Sequence, residues 1–279
     1  MLQIIRLFRE LARCALWIGT IALIGEMAFG QVGLGLSPMR LEFSLSPAAV
    51  HSGSLTLSNE SGDLVRVRAE LLDFFIDNQE TPQFAPSYPA EAENSCRGWL
   101  SVNPMETEVA PGKSVPIRYT LRVPPNAPPR SFHCAVGFTT LPALDQLKAT
   151  GLRTAVRMVA AFYAIVGQPA IEGEVSKMTL ERVKTDEGLR WQAVVVLRNE
   201  GYKHFRPSGE FAILDEKGAV LETAPFPALP VLPKRDQNFH FRLKADLAQQ
   251  KYTLRARVDI GANEVQETTI SLVPPAPGK

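Results

Sequence analysis

From Ser37 onward the chain alternates apolar and polar side chains with a period of two, the spacing of strands that keep one face in water. Val65, Val67, Ala69 and Leu71 fall on one side and Arg66, Arg68 and Glu70 on the other. Ile117, Tyr119, Leu121 and Val123 repeat the pattern, as do Phe132, Cys134, Val136 and Phe138. Ser37 to Asn59 reads as two short strands. Turn signals separate the runs at Ser58 to Asp63, at Pro111-Gly112, at Pro124 to Pro129 and across the proline-rich Thr81 to Asn94. Val156 to Val166 is apolar on both faces, with Val156, Met158, Ala160, Phe162 and Ala164 on one and Val159, Ala161, Tyr163 and Ile165 on the other. Its aromatic and β-branched content predicts one long buried strand.

Gly167-Gln168-Pro169 interrupts the pattern, and strands resume at Trp191 to Leu197, Phe211 to Leu214, Phe239 to Leu243 and Leu254 to Ile260. Asp215 to Gly218 and Arg198 to Gly201 read as hairpin turns, and Pro225 to Pro233 as an edge or sheet-crossing connection. Short, regularly punctuated strands predict an all-β protein of two tandem Ig-like sandwiches. The expected division is 1–30 as export signal, 31–169 as first domain, 170–274 as second, and 275–279 as a disordered tail.

The first thirty residues combine Arg6, Arg9 and Arg13 with an apolar stretch from Cys14 to Ile24 and small residues at Ala28 and Gly30, a pattern that predicts signal cleavage before Gln31. An uncleaved anchor from Ile4 to Phe29 is the alternative. Export places the mature chain in an oxidising compartment, where Cys96 and Cys134 are expected to pair. The formal net charge of +1 and the lack of long basic blocks argue against nucleic acid as a partner.

Candidate chemistry is sparse. His51, His133, His204 and His240 are scattered outside any metal-ligand spacing, so no metal or other cofactor is expected. No nucleophile elbow, dinucleotide loop or phosphate loop is present, which leaves no basis for catalysis or nucleotide binding. Glu106 and Glu108 share a strand face and read as a solvated pair rather than an acid and base.

The segments LSPMRLEF (from Leu36), LTLSN (from Leu55), APGKS (from Ala110) and FHCAVGF (from Phe132) resemble the periplasmic pilus chaperones of the chaperone-usher pathway. The likeness covers most of the first domain. It implies a periplasmic, non-enzymatic protein that caps an exported pilin-like subunit by lending it a β-strand, with an outer-membrane usher as a further possible partner. The donor stripe would be Val156, Met158, Ala160, Phe162 and Ala164. In that family an arginine on the first strand and a lysine on the last strand of domain one anchor the subunit's terminal carboxylate. Arg40 matches the arginine, Ala160 stands in the lysine's place, and Arg157 is the candidate second basic anchor. The alternative is a non-catalytic cell-surface or periplasmic Ig-like structural or adhesive module.

Overall fold

A computed structural model describes residues 33–141, 155–186 and 188–275. The expected signal (1–30) and most of the expected tail lie outside the described residues. The chain forms two tandem Ig-like β-sandwiches, each with its own apolar core.

In the first sandwich the strands are β1 (Leu34–Ser37), β2 (Arg40–Leu45), β3 (Val50–Asn59), β4 (Val65–Ile76), β5 (Pro82–Ala85), β6 (Leu100–Asn103), β7 (Glu106–Val109), β8 (Ser114–Arg122), β9 (Ser131–Leu141) and β10 (Arg157–Val166). One sheet runs β1-β3-β8-β6 and the other β2-β10-β9-β4-β5, with β7 also on β4. Ser37 to Asn59 holds the last residue of β1 and then the two strands that the alternation predicts, β2 and β3. The chain changes sheets at Pro38-Met39, and the change leaves β2 free to run parallel to β10. The alternating faces of β3, β4, β8 and β9 close on a core that includes Leu55, Leu57, Ile117, Leu121, Val136, Phe138 and Phe162. Glu106 and Glu108 lie on β7 opposite Arg68 and Arg66, 2.7 and 3.3 Å from them, in exposed pairs that contribute little to stability.

The second sandwich comprises β11 (Gly173–Thr185), β12 (Gly188–Asn199), β13 (Ser208–Leu214), β14 (Val220–Pro225), β15 (Asp236–Arg242), β16 (Tyr252–Asp259) and β17 (Gln266–Leu272), in sheets β11-β12-β15 and β14-β13-β16-β17. Trp191, Phe211, Phe239 and Phe241 fill its centre. Asp215 to Gly218 does turn a hairpin, between β13 and β14. Arg198 to Gly201 does not. β12 and β13 belong to different sheets, so the chain crosses the sandwich there through a loop that carries His204 and Arg206.

The proline-rich stretch between β4 and β6 is ordered by buried polar contacts rather than by apolar periodicity. β5 folds back on β4, and a 3-10 turn over Pro89–Asn94 carries Glu91 inward. The Asp73 carboxylate accepts hydrogen bonds from Tyr88 N–H and Ser95 Oγ at 3.1 and 2.5 Å. A disulfide joins Cys96 to Cys134 of β9, both fully buried. Beside it, His133 Nε2 lies 3.2 Å from Glu91 Oε2 and the ring meets Phe74 edge-on. Burial pushes His133 down to about 4, so the ring is neutral at pH 7 and donates from Nε2 to the Glu91 carboxylate.

Two consequences can be measured. Cys96→Ala with Cys134→Ala should lower the unfolding free energy by about 4 kcal/mol, the loop-closure value for a sequence separation of 38 residues. Urea unfolding of the oxidised wild type against the double variant reads this directly. His133 ordinarily titrates near 6.5 and here near 4, so between those values the unfolded chain binds the extra proton. Stability from this group is complete above pH 6.5 and is lost as pH falls through 4, by up to about 3 kcal/mol. His133→Gln should flatten that part of the stability curve, although Glu91, Asp73 and Arg235 still surround the site.

Candidate functional site

The parallel pairing of β2 with β10 begins only at Arg40 opposite Ala161 and runs to Leu45 opposite Val166. Arg157 to Ala160 therefore have β9 on one side and, among the described residues, no hydrogen-bonded strand on the other, although β1 of the facing sheet passes near β10. Ala161 N–H donates to Met39 C=O at 2.9 Å and Gly167 N–H to Leu45 C=O, so odd-numbered residues aim their amides toward β2. By strand alternation the N–H and C=O groups of Arg157 and Val159 face the open edge.

β10 divides its side chains between two environments. Ala160, Phe162 and Ala164 are fully buried in the first core, where Phe162 meets Tyr119 edge-on at 5.1 Å. Val156 and Met158, the other two members of the predicted stripe, are partly buried at the margin of that core, beside the open edge. The opposite face, with Val159, Ala161 and Tyr163, joins a smaller cluster of Leu72, Phe74, Ile76 and Ala135, to which the second sandwich adds Leu232. Because Leu41 and Phe162 share the core face, their neighbours Arg40 and Ala161 share the face turned toward the second sandwich.

Arg40 stands exposed at the point where β2 leaves β10, and has no hydrogen bond or ion pair among the described residues. Ala160 is inside the core and contributes nothing to that surface. Arg157 lies on the same face as Arg40 but four residues up the strand from Ala161, about 13 Å at the usual rise, and its guanidinium is engaged by Glu70 of β4. Gly137 makes room for that pairing, since a Cβ there would sit 2.9 Å from Arg157 Nε and from Leu72 Cδ1.

The second cation near Arg40 comes from the other sandwich. Arg206 lies over the Tyr163 ring at 4.8 Å, with Nε 3.7 Å from Glu42 Oε2 and Nη1 donating to Ala228 C=O. Its Nε and Nη2 are buried without a hydrogen-bond acceptor. His204 Nε2 donates to Glu42 Oε1 at 3.0 Å, and Nδ1 accepts from Ser131 Oγ at 2.9 Å. The His204 hydrogen bond, with Arg206 and Arg40 beyond it, holds the Glu42 carboxyl below its usual range, while burial pushes the Tyr163 phenol up.

The order Ser131, His204, Glu42 follows the serine, imidazole and carboxylate order of a hydrolase triad, but its surroundings favour a fastening between sandwiches. Ser131 is 1% exposed, and its oxygen accepts the backbone N–H of His204 as well as serving the ring, so it has no access to an acyl substrate. Sequence reasoning missed Arg206, His204 and Ser131 because their partners are far away in the chain, up to 162 residues for His204 and Glu42. The one available signal was the Arg198 to Arg206 loop, polar yet bounded by core strands.

No protein-family model matches the chain, and no curated protein matches its sequence. Among solved structures, it is similar to one from a chaperone-tip adhesin complex of CFA/I fimbriae biogenesis (11% identity, TM-score 0.45, 87% of this chain and 100% of that one). It is also similar to the Pseudomonas aeruginosa CupB2 chaperone (16% identity, TM-score 0.41, 86% and 100%) and the E. coli chaperone DraB (13% identity, TM-score 0.41, 86% and 98%).

The split of β10 predicts a split in mutational cost. Phe162→Ala should destabilise the protein by about 3 to 5 kcal/mol and Met158→Ala by about 1, the difference between a closed core site and its margin. Chemical denaturation of both variants checks the assignment.

Proposed function

We propose that the protein is an exported, non-enzymatic assembly chaperone of the periplasm that binds a β-rich subunit by strand addition along the open edge of β10. The observation that carries this reading is the coincidence, among the described residues, of that edge with an unpaired arginine: the N–H and C=O groups of Arg157 and Val159 are left without a hydrogen-bonded strand, and Arg40 stands where the edge ends. An added strand would satisfy the open backbone groups, which supplies affinity without regard to sequence. Val156 and Met158, continuing the apolar stripe past the core, are the side chains free to enter a subunit's groove. Ala160, Phe162 and Ala164 stay with their own core.

Arg40 and Arg206 would then hold a subunit carboxylate, in this chain's version of the clamp that the sequence resemblance implies. A guanidinium suits that task because its parallel N–H groups match two carboxylate oxygens. Arg206 takes the place of Arg157, which Glu70 already neutralises. No step in this function requires a cofactor or nucleotide. Delivery to an outer-membrane usher belongs to the same proposal.

The test is co-expression in a periplasm with the exported proteins encoded beside it, followed by identification of what copurifies. A β-rich subunit whose solubility depends on this protein is expected. Arg40→Ala should weaken the complex by about 2 to 5 kcal/mol if it pairs with a desolvated carboxylate, whereas an exposed arginine would cost under about 1. A stable protein that captures no subunit, with the Arg40 variant indistinguishable from wild type, would favour the structural or adhesive module instead.

A further inference from the structure

The segment between β4 and β6 spans both sandwiches. On its own side it is fastened by the Cys96–Cys134 disulfide, by Cys96 N–H on His133 C=O at 3.2 Å, and by the hydrogen bonds that Asp73 accepts. Toward the second sandwich three of its residues, Asp77, Glu80 and Glu91, make polar contacts. Glu91, 2% exposed, takes the guanidinium of Arg235, which also lies over Phe75 at 5.2 Å. Asp77 C=O accepts from Gln237 Nε2 at 3.1 Å, and Glu80 Oε1 accepts the backbone N–H of His240 at 3.1 Å.

These partners lie on β15 or on the residue just before it. β15 is the free edge of the β11-β12-β15 sheet, and the tip of the β4-β5 hairpin caps that edge through the His240 amide. Leu232 is the one buried apolar residue that the second sandwich adds to the cluster between them, among the described residues. So small an apolar contact is non-directional and resists sliding poorly. The polar contacts of the inserted segment, like the Ser131-His204-Glu42 chain, have the directionality that the apolar contact lacks, and they add a second fixed point to that chain.

We infer that residues 77 to 97 form a disulfide-fastened strut that sets the angle between the two sandwiches, with Glu80, Glu91 and Arg235 as its positioning residues. Its root is rigid because the disulfide and Asp73 hold it to β9 and β4. Its far end grips β15 and the residue before it. The spacing of Arg40 and Arg206 follows from that angle, and this consequence alone rests on the functional reading above.

The test measures the angle without any partner present. Spin labels on non-canonical residues at the exposed positions Lys113 and Lys217 report the distance between sandwiches in the full chain. One narrow distance distribution is expected for the oxidised wild type. Combining Glu80→Ala with Arg235→Ala, which leaves both apolar cores, the disulfide and the Ser131-His204-Glu42 chain intact, should broaden it about twofold, as expected when a small interdomain contact loses one of its two directional fastenings. Cys96→Ala with Cys134→Ala should broaden it in the same way while circular dichroism stays that of a folded β protein. A distribution as narrow as wild type in the Glu80 and Arg235 variant would overturn the strut, and so would a folded cysteine variant that stays narrow. If the cysteine variant does not fold, the Glu80 and Arg235 variant decides. Failure to capture a subunit would leave this result untouched.

Discussion

The late start of the β2-β10 ladder governs the surface of the first sandwich. A strand in the middle of a sheet needs a neighbour on each side, and β10 has both only from Ala161 onward. The cause lies in the sheet change at Pro38-Met39, which brings β2 in too late to cover Arg157 to Ala160. An edge with unpaired amides is a hazard for aggregation unless it is blocked or used. The Arg157–Glu70 ion pair beside that edge sets two charged groups there that an indiscriminate partner would have to desolvate. The same geometry puts Arg40 at the end of the open stretch, so edge and cation are products of one topological event.

The apolar periodicity made most of the fold legible. Period-two runs such as Val65 to Leu71 and Trp191 to Leu197 became strands because one face of each had to be buried, and that requirement is local enough to read in a sequence. The β4-β6 segment was opaque for the opposite reason. Its Cys96–Cys134 disulfide was readable, but it is otherwise held by Asp73 and Glu91, and a buried carboxylate leaves no periodic trace. The same limit applied to the site. Arg40 was legible because it belongs to a recognisable motif, whereas Arg206 gains its place through a loop that crosses the second sandwich and meets Glu42 and Tyr163 only in three dimensions. The β10 stripe was readable as a stripe, but its division at Ala160 depends on where the core ends.

Two kinds of contact join the sandwiches. The apolar one, around Leu232, Tyr163 and Phe74, removes surface from water but accepts many relative orientations. The Ser131-His204-Glu42 chain and the Glu91-Arg235 pair are directional, and breaking either leaves a polar group poorly solvated. Buried pairs of this kind are weak evidence for stability, because desolvation offsets much of their attraction. Their effect is better understood as selection among orientations of similar energy.

Charge on the face between the sandwiches sets what it can receive. Arg40 and Arg206 bring two positive charges, and Glu42, held ionised by His204, brings one negative charge. Within this set the balance is one uncompensated cation, the charge of a single carboxylate. Glu42 also repels a second anion and occupies part of Arg206, whose buried Nε and Nη2 lack acceptors, so in the proposed complex a carboxylate would meet Arg40 first. Without Glu42 the two guanidinium groups would form a stronger but less discriminating anion site. With it, in the proposed complex, charge would favour a carboxylate only where the backbone of the added strand also lies along β10, so that recognition would require the strand and its terminus together.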